Sequence, residues 1–201
     1  MDAELNTELM NKLRQVSVAT LTTVLYKRGF RNQFIHGVGP ISPDGRRMAG
    51  PAYTVRTIPS REDKAVPAVL SDRAYPGRAA IEACPPGYVL VFDSRQDPRS
   101  ASGGDILMTR LMVRGVEGCV TDGGMRDSGE IEEMDFPVYQ AQPAPPISLL
   151  HHLAVDSNVP IACGGAPVYP GDIMVGDDEG VLAVPADLAA EVVEEALEMT
   201  A

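Results

Sequence analysis

The segment GCVTDGGMRDSGE, residues 118–130, places an arginine and an aspartate just after an apolar strand and a pair of glycines. Arg126 offers a planar cationic fork that suits a carboxylate or a developing enolate oxygen, and Asp127 offers a hard oxygen ligand for a divalent cation. Ligands of open α/β sheets collect where the strands end. The pair therefore predicts a site that holds an anionic substrate beside a metal ion.

The same residues have a second interpretation that needs no ligand. Asp127 and Glu130 stand three positions apart, which is the spacing of a capping box at a helix start. A cap explains neither the paired glycines nor an arginine at a strand-to-helix corner. Both interpretations stay open at this point, and Glu130 is either an accessory member of the site or an N3 residue.

A second glycine-flanked helix start lies upstream, in SASGGDILMTRLMVRG, residues 100–115. Asp105 is predicted as the N-cap residue of this helix, and an ordinary cap again accounts for it. In the functional alternative, the free amides of Ile106 and Leu107 would seat a carboxylate, and Gly103 and Gly104 would let a ligand approach the backbone. The two helix starts are expected to converge on one pocket.

The scarcity of lysine limits the mechanism. The chain has only Lys12, Lys27 and Lys64, and all three lie among polar or charged neighbours. An enzyme that forms a Schiff base needs a desolvated lysine with a lowered pKa. If the protein is a carbon–carbon lyase, a metal ion is therefore the expected electron sink.

Other reactive side chains are assigned structural or surface roles. His151 and His152 are adjacent and so point in different directions, and neither has a partner at metal-ligand spacing. The acidic run 177–179 lies between two strand-like segments and is interpreted as a solvated hairpin turn. Nucleotide-binding loops, a serine-hydrolase elbow and a zinc-protease motif are all absent from the sequence.

Composition excludes several classes of protein. The net charge of −11 over 201 residues argues against nucleic-acid binding, and no apolar run is long enough to cross a membrane. Cys84, Cys119 and Cys163 are odd in number and widely spaced, so we expect reduced, inert core thiols. With an acidic, polar amino terminus, the chain is expected to be soluble and cytoplasmic.

The elements that would position the two corners alternate between helices and strands, as in α/β domains. Polar interruptions near 15–17 predict one broken helix or two short ones over residues 4–28, ended by Gly29. After Pro137 the pattern changes to short strands, before an acidic helix from residue 186. Between these regions we predict strands at 52–58, 88–94 and 118–122 and helices at 78–84 and 106–114. We expect one layered α/β domain with a helix-covered sheet and an added β-rich region.

The chain resembles, over nearly its whole length, the RraA-like superfamily. That superfamily contains the 4-hydroxy-4-methyl-2-oxoglutarate/4-carboxy-4-hydroxy-2-oxoadipate aldolases and the regulator of ribonuclease E activity. The stretches that carry the resemblance are GPAYTVRTI, SGGDIL, VTDGGMRDSGE, PIACGGAPVYPGD and GDDEGVLAVP. The resemblance implies a single domain, residues 1–201, with amino-terminal helices and a swivelling β/β/α three-layer sandwich. It also implies trimers or hexamers with active sites near the subunit interfaces.

By similarity to the aldolases, Asp127 would bind Mg²⁺ or Mn²⁺, and Arg126 would hold the pyruvate carbonyl and stabilise its enolate. The backbone at Ile106 and Leu107, with Gly104, would take the carboxylate, and Asp105 would orient the water that shuttles the proton. A neighbouring subunit would add one more acidic group. Its candidates in this chain are Glu179, Glu191, Glu194 and Glu195.

These features lead us to expect a metal-dependent aldolase that cleaves 4-hydroxy-2-oxo diacids to pyruvate and a second oxo acid. Oxaloacetate decarboxylation passes through the same enolate and is expected as a side activity. Two alternatives remain: a regulatory protein that binds a ribonuclease through its acidic surface, and a related lyase or hydratase that acts on sugar-acid-like 2-oxo acids.

Overall fold

A computed structural model describes residues 3–42, 44 and 46–200 of the chain. The α-helices in this part are α1 (Ala3–Leu13), α2 (Val18–Lys27), α3 (Pro76–Ala83), α4 (Asp105–Val113), α5 (Ser128–Glu132) and α6 (Ala189–Thr200). Short 3₁₀ helices cover Pro67–Ser71, Ser148–Leu150 and Ala186–Leu188.

The strands in the same part of the chain are β1 (Gly39–Pro40), β2 (Met48–Pro59), β3 (Val89–Asp93), β4 (Gly118–Thr121), β5 (Gly124–Met125), β6 (Val138–Gln140), β7 (Gln142–Pro143), β8 (His152–Ser157), β9 (Ile161–Cys163), β10 (Ala166–Val168), β11 (Ile173–Asp177) and β12 (Gly180–Val184).

The main sheet of the described residues runs in the order β1-β6-β4-β3-β2-β11-β12, with β8 paired to the far end of β2. The neighbours β2, β3, β4 and β6 are parallel, and the other pairings in this sheet are antiparallel. Parallel neighbours bring the ends of β3 and β4 to the same edge of the sheet. Both predicted corners follow strands that end at this edge.

Strand β3 shows how the layers are built. Its residues alternate between two faces: Val89 and Val91 belong to a core cluster with the β9–β10 hairpin, while Leu90 and Phe92 belong to a cluster with α3 and α4. The strand is buried along nearly its whole length because both faces are covered. The structure therefore consists of a hairpin layer, a sheet layer and a helix layer. The predicted α/β class and its β/β/α layering are confirmed.

Of the two alternatives predicted for the amino-terminal region, one broken helix or two short ones, the structure shows two helices. Ser17 is the N-cap of α2 and accepts a hydrogen bond from the Thr20 N–H at 3.1 Å, so the polar break in the sequence is a new helix start. Gly29 follows at φ +90°, a conformation that glycine adopts readily, and it ends the helix as predicted. Helices α1, α2 and α6 pack together over β11 and β12.

The hairpin turn after β11 corrects one expectation. Asp178 and Glu179 are exposed as predicted, but Asp177 is only 2% exposed. Its Oδ2 accepts a hydrogen bond from the Val18 N–H at 2.8 Å, so it supplies an acceptor to the first turn of α2. The sequence could not separate these acidic neighbours because their difference depends on a helix 159 positions away.

None of the helices in the described part of the chain combines the length and the apolar character needed to cross a membrane.

Candidate active site

The two glycine-flanked corners lie side by side, and backbone hydrogen bonds hold them together. The Ser102 N–H donates to the Gly124 carbonyl at 2.8 Å, and the Arg126 N–H donates to the Gly103 carbonyl at 3.1 Å. The segment that leads into α4 is thereby paired with the segment between β4 and α5. The predicted convergence of the two helix starts is confirmed.

Close approach explains the glycines at this junction. A Cβ atom on Gly104 would lie 2.6 Å from Asp127 Oδ2 and 2.9 Å from Arg126 Cγ. On the other corner, a Cβ on Gly123 would lie 2.6 Å from Ser94 Cβ, and one on Gly124 would lie 2.3 Å from Ala144 Cβ. Real side chains do not tolerate such distances, so Gly123 and Gly124 need glycine for space, and a side chain at position 104 would displace Asp127 and Arg126.

Asp127 occupies the N-cap position of α5, but its side chain does not cap the helix. Its backbone is left-handed, with φ 55° and ψ 38°, and its side chain makes no capping hydrogen bond. The capping-box interpretation of Asp127 and Glu130 is therefore wrong. A non-glycine residue in this conformation is uncommon and recurs at functional sites. Glu130 is exposed on the first turn of α5.

The Asp127 carboxylate faces Arg126 and the start of α4. Arg126 Nε donates to Asp127 Oδ2 at 3.0 Å, and both side chains remain partly exposed, at 41% and 34%. This hydrogen bond lowers the pKa of Asp127, and the side chain and backbone N–H of Asp105 lower it further. Three charged side chains predicted to act together thus meet at one point, where Asp127 contacts both Arg126 and Asp105.

This donor set suits a hard divalent cation that keeps much of its water. No group of three or more His, Cys, Asp or Glu side chains within residues 3–42, 44 and 46–200 is arranged to hold a metal ion. Mg²⁺ is commonly held by only one or two carboxylates, with waters filling its remaining positions. Asp105 and Asp127, adjacent and partly exposed, fit that pattern.

The first turn of α4 corrects one prediction. The N-cap residue is Gly104, and Asp105 is the first helical residue, because a glycine can begin a helix without a side-chain cap. The Leu107 N–H donates to the Gly104 carbonyl at 3.1 Å, so it is partly engaged within the turn. The geometry thus favours Ile106 over Leu107 as the carboxylate seat. A cavity of about 250 Å³ borders this turn and Arg126.

The sequence missed the anchor of this region, Asp122. The residue is 3% exposed, and its carboxylate accepts three backbone N–H bonds: from Ser94 at 2.6 Å, Gln96 at 3.0 Å and Gly164 at 3.0 Å. Burial raises the pKa of Asp122, and the three amides oppose that rise. The only indication in the sequence was the presence of a charged residue directly after a buried strand.

Asp122 holds a strained loop. Arg95 and Gln96 both have positive φ, at 61° and 54°, which non-glycine residues rarely adopt in succession. Arg95 Nη2 donates to the His151 carbonyl at 2.7 Å and to His152 Nδ1 at 2.9 Å. His152 is 2% exposed, so of the adjacent histidines it is the buried one.

The remaining reactive residues behave as the sequence predicted. Cys84, Cys119 and Cys163 are free and buried, and burial raises the pKa of the Cys84 thiol to about 12. Lys12 and Lys27 form ion pairs with glutamates of α6, and Lys64 is exposed. A desolvated lysine is therefore not found at any of these three positions.

The four candidates for a glutamate donated to a neighbouring subunit differ in their contacts. Glu191 and Glu195 pair with Arg28, and Glu194 pairs with Lys12. Glu179 lies exposed on the hairpin turn.

Comparison with known proteins gives a consistent set of relatives. The RraA-like family, described as Aldolase/RraA, matches residues 14–183. A protein of Halalkalibacterium halodurans named "Putative 4-hydroxy-4-methyl-2-oxoglutarate aldolase" is 34% identical over 139 residues, which is 69% of this chain and 60% of that protein. Protein DlpA of Legionella pneumophila is 28% identical over 92% of this chain, but the match spans only 29% of DlpA. The chain thus spans less than two thirds of the length of either relative.

Among solved structures, Streptomyces coelicolor RraAS2 superposes with a TM-score of 0.85 at 31% identity, over 99% of this chain and 93% of that chain. It is described as an unusual member of the RNase ES inhibitor RraA protein family. An uncharacterised protein of Pseudomonas syringae gives a TM-score of 0.83 at 25% identity, over 96% of this chain and 84% of its own.

Proposed function

The chain belongs to the RraA-like family, and on that premise we propose that it is a divalent-metal-dependent lyase. Its substrates are 4-hydroxy-2-oxo diacids, which it cleaves to pyruvate and a second oxo acid. One observation carries the proposal: Asp105, Arg126 and Asp127 meet at a junction where a side chain in place of Gly104 would displace Arg126 and Asp127. Relatives named as aldolases support the same class of reaction.

Each residue of the junction has a part in the cleavage. The Ile106 amide, at the positive end of α4, binds the substrate carboxylate. Arg126 binds the oxygen at carbon 2, where negative charge develops when the bond between carbons 3 and 4 breaks. Asp105 holds the water that takes the proton from the hydroxyl on carbon 4 and returns one to carbon 3. Bound at Asp127, a divalent cation would add positive charge beside the developing enolate oxygen.

Proton transfer balances this reaction without a redox cofactor. Loss of the hydroxyl proton makes the new carbonyl at carbon 4, and the electron pair of the broken bond moves into the enolate of pyruvate. Protonation of that enolate at carbon 3 completes pyruvate. Oxaloacetate would give the same enolate by loss of carbon dioxide, so decarboxylation is proposed as a side activity.

The test measures pyruvate release by chelator-treated protein, with and without added Mg²⁺ or Mn²⁺. We expect metal-dependent release from 4-hydroxy-4-methyl-2-oxoglutarate and from oxaloacetate, and a loss of about 100-fold or more in Asp127→Ala. Asp135→Ala, which removes an exposed carboxylate elsewhere on the surface, is the matched control. Release from neither substrate, or full release by Asp127→Ala, would overturn the proposal.

A second candidate is a regulatory protein that binds a ribonuclease. The fold similarity to RraAS2 and the net charge of −11 favour it. Such binding would need no metal and would weaken as salt screens the acidic surface. A stoichiometric ribonuclease complex that survives Asp127→Ala, in a protein inert toward oxo acids, would select this function over the lyase.

A further inference from the structure

A second, larger cavity adjoins the candidate site. It has a volume of about 430 Å³ and lies between α3, α4 and the sheet. Small-molecule sites in proteins usually enclose about 300–1,000 Å³, so this volume suits an organic ligand. The larger and smaller cavities share the lining residues Ser102, Ile106, Leu107 and Ser148. A substrate whose first carboxylate lies at the Ile106 amide can therefore extend into this cavity.

The rim of the larger cavity is charged, whereas its floor is apolar. Arg78, Glu82 and Arg110 line it at exposed positions, and Ile81 and Phe92 line it at buried ones. A charged group of a ligand would keep its access to water at such a rim and need not be buried. These walls suit a ligand with a carboxylate at the rim and a hydrocarbon part against the floor.

Arg78 is the available cation at this rim. Arg110 Nε and Nη2 donate to the two carboxylate oxygens of Glu82 at 3.0 and 2.7 Å, and Arg114 Nη1 lies 3.5 Å from Glu82 Oε2. The hydrogen bond from Arg110 lowers the pKa of Glu82, and the charges of Arg114 and Arg78 lower it further, although desolvation opposes them. Arg78 itself donates to a backbone acceptor, the Leu70 carbonyl, at 3.0 Å, and no carboxylate of the described residues lies within 4.0 Å of its guanidinium. Positive charge is therefore in excess at this rim, in a chain whose net charge is −11.

The packing of α3 against α4 places Arg78 beside the seat of the first carboxylate. Both helices connect parallel strands on the same face of the sheet, so they run in the same direction. Glu82, near the end of α3, binds Arg110 on α4. Four residues earlier on each helix, which is about one turn, stand Arg78 and Ile106. Arg78 and Ile106 therefore lie level with each other on facing helices, and both line the larger cavity.

The segment before α3 holds the guanidinium near the candidate site. Leu70, which accepts the hydrogen bond from Arg78, belongs to the 3₁₀ helix Pro67–Ser71 and lines both cavities. The smaller cavity also includes Asp105 and Arg126. One hydrogen bond from Arg78 thus reaches a residue in the wall of the candidate site, and a guanidinium has further N–H donors for a ligand.

We propose that Arg78 binds the second carboxylate of the substrate, at the rim of the larger cavity, and so selects diacids over monoacids. The inference rests on the proposed function, which places the first carboxylate and the oxygen at carbon 2 beside Ile106 and Arg126. A guanidinium can hold a carboxylate through two parallel hydrogen bonds, which suits this end of the substrate. Arg78 acts in specificity, because the second carboxylate lies outside the bond that breaks and carries the same charge before and after cleavage.

The experiment separates the two ends of the substrate. Exchange of the pyruvate methyl protons in D₂O with Mg²⁺, followed by NMR, reports on the junction of Asp105, Arg126 and Asp127, since pyruvate has no second carboxylate. Inhibition of that exchange by 2-oxoglutarate and by 2-oxopentanoate then reports on the rim, because the two acids differ only in their terminal group, a carboxylate or a methyl. We expect 2-oxoglutarate to inhibit at least about tenfold more tightly.

Substitution of Arg78 tests whether this residue is the source of the preference. In Arg78→Gln, which removes the charge and keeps a polar side chain, we expect the ratio of the two inhibition constants to fall to about twofold or less. The ratio compares two ligands of one variant, so a change in the exchange rate does not affect it. Arg73→Gln is the matched control: it removes the same charge from an exposed residue that does not line the cavity, and it should keep the wild-type ratio.

A second variant has the opposite expected effect. Glu82→Gln removes the carboxylate that competes with the ligand for the guanidinium groups, so the ratio should rise about two- to fivefold. Loss of an ion pair with a purely structural role would not raise the selectivity for a diacid. This variant decides the matter if Arg78→Gln does not fold.

The failures are distinguishable. Absence of methyl exchange overturns the proposed function. Exchange that 2-oxoglutarate and 2-oxopentanoate inhibit equally well overturns the role of Arg78 alone. A preference for 2-oxoglutarate that survives in Arg78→Gln, or a ratio that does not rise in Glu82→Gln, has the same consequence.

Discussion

Two aspartates of one short segment show how differently the same side chain can be used. Asp122 is buried, and three backbone amides satisfy its carboxylate. Asp127, five positions later, is a third exposed and has a single close guanidinium partner. Asp122 thereby fixes the loop that positions His152, whereas Asp127 retains acceptor capacity for a ligand.

The difference teaches that partners and exposure decide the role of a carboxylate, while its place in a motif does not. The buried region, consisting of Asp122, the 94–97 loop and His152, should respond to mutation through stability. The exposed junction, consisting of Asp105, Arg126 and Asp127 with Gly104, should respond through activity. Each prediction below tests one side of that contrast.

The largest expected effect is on stability, in Asp122→Ala. The substitution leaves three amides without an acceptor, and each buried donor left unsatisfied costs about 1–3 kcal/mol, so we expect a loss of about 3–5 kcal/mol. Urea unfolding followed by circular dichroism measures it. Asp122→Asn keeps one acceptor oxygen and should lose less. A loss below about 1 kcal/mol in Asp122→Ala would remove the basis for calling this residue an anchor.

Arg126→Ala should leave stability nearly intact and remove activity. An exposed ion pair contributes at most about 1 kcal/mol to folding, but a donor aimed at a developing oxyanion is worth about 3–4 kcal/mol in the transition state. We expect kcat/KM for pyruvate release to fall about 100- to 1,000-fold. Arg61→Ala breaks a comparable exposed pair, with Asp63, and should change neither quantity. Equal behaviour of the two variants would contradict the contrast.

Gly104→Ala should have an intermediate effect. The new methyl group would meet the flexible side chains of Asp127 and Arg126, which can move aside at little cost to folding but then leave their working positions. We expect about tenfold lower kcat/KM, since small displacements of catalytic groups are costly. Gly129→Ala meets nothing within 4 Å and serves as the control. Unchanged kinetics in Gly104→Ala would show that the close approach is not needed.

The smallest effect is the pH dependence of the buried region. Burial, Arg95 and His151 lower the pKa of His152, and Asp97 opposes them. A histidine with a lowered folded-state pKa contributes stability that is complete above its unfolded pKa, about 6.5, and declines as the pH falls below it. Relative to His152→Phe, the wild-type protein should lose less than about 1.4 kcal/mol per pH unit from pH 6.5 to 5. A constant difference between the two proteins over this range would contradict the prediction.

Much of the fold could be predicted from local patterns. The helix start at Ser17, the glycine stop at Gly29 and the alternation of strands and helices depend on neighbours in sequence, and the structure confirms them. The convergence of the two corners could be predicted because parallel strands must end at one edge of a sheet.

Long-range contacts could not be predicted in the same way. The partners of Asp122 come from three separate positions, the farthest of them 42 residues away. Asp127 and Glu130 have the spacing of a capping box, and the alternatives are distinguished by the left-handed backbone at Asp127 and by the absence of a capping hydrogen bond from its side chain. The partners of Asp122 and the backbone conformation of Asp127 both depend on packing between segments that are distant in sequence. The pattern of neighbouring residues does not contain that information.

The hydrogen bond from the Val18 amide to Asp177 has a consequence for biosynthesis. Helix α2 leaves the ribosome before β11, and the acceptor for its buried first turn follows 159 residues later. Such distant pairings form late because closing a long loop costs chain entropy. Helices α1 and α2, although made before the β11–β12 hairpin, must therefore wait for it, and a nascent chain that stalls before residue 177 should expose them to proteases and chaperones.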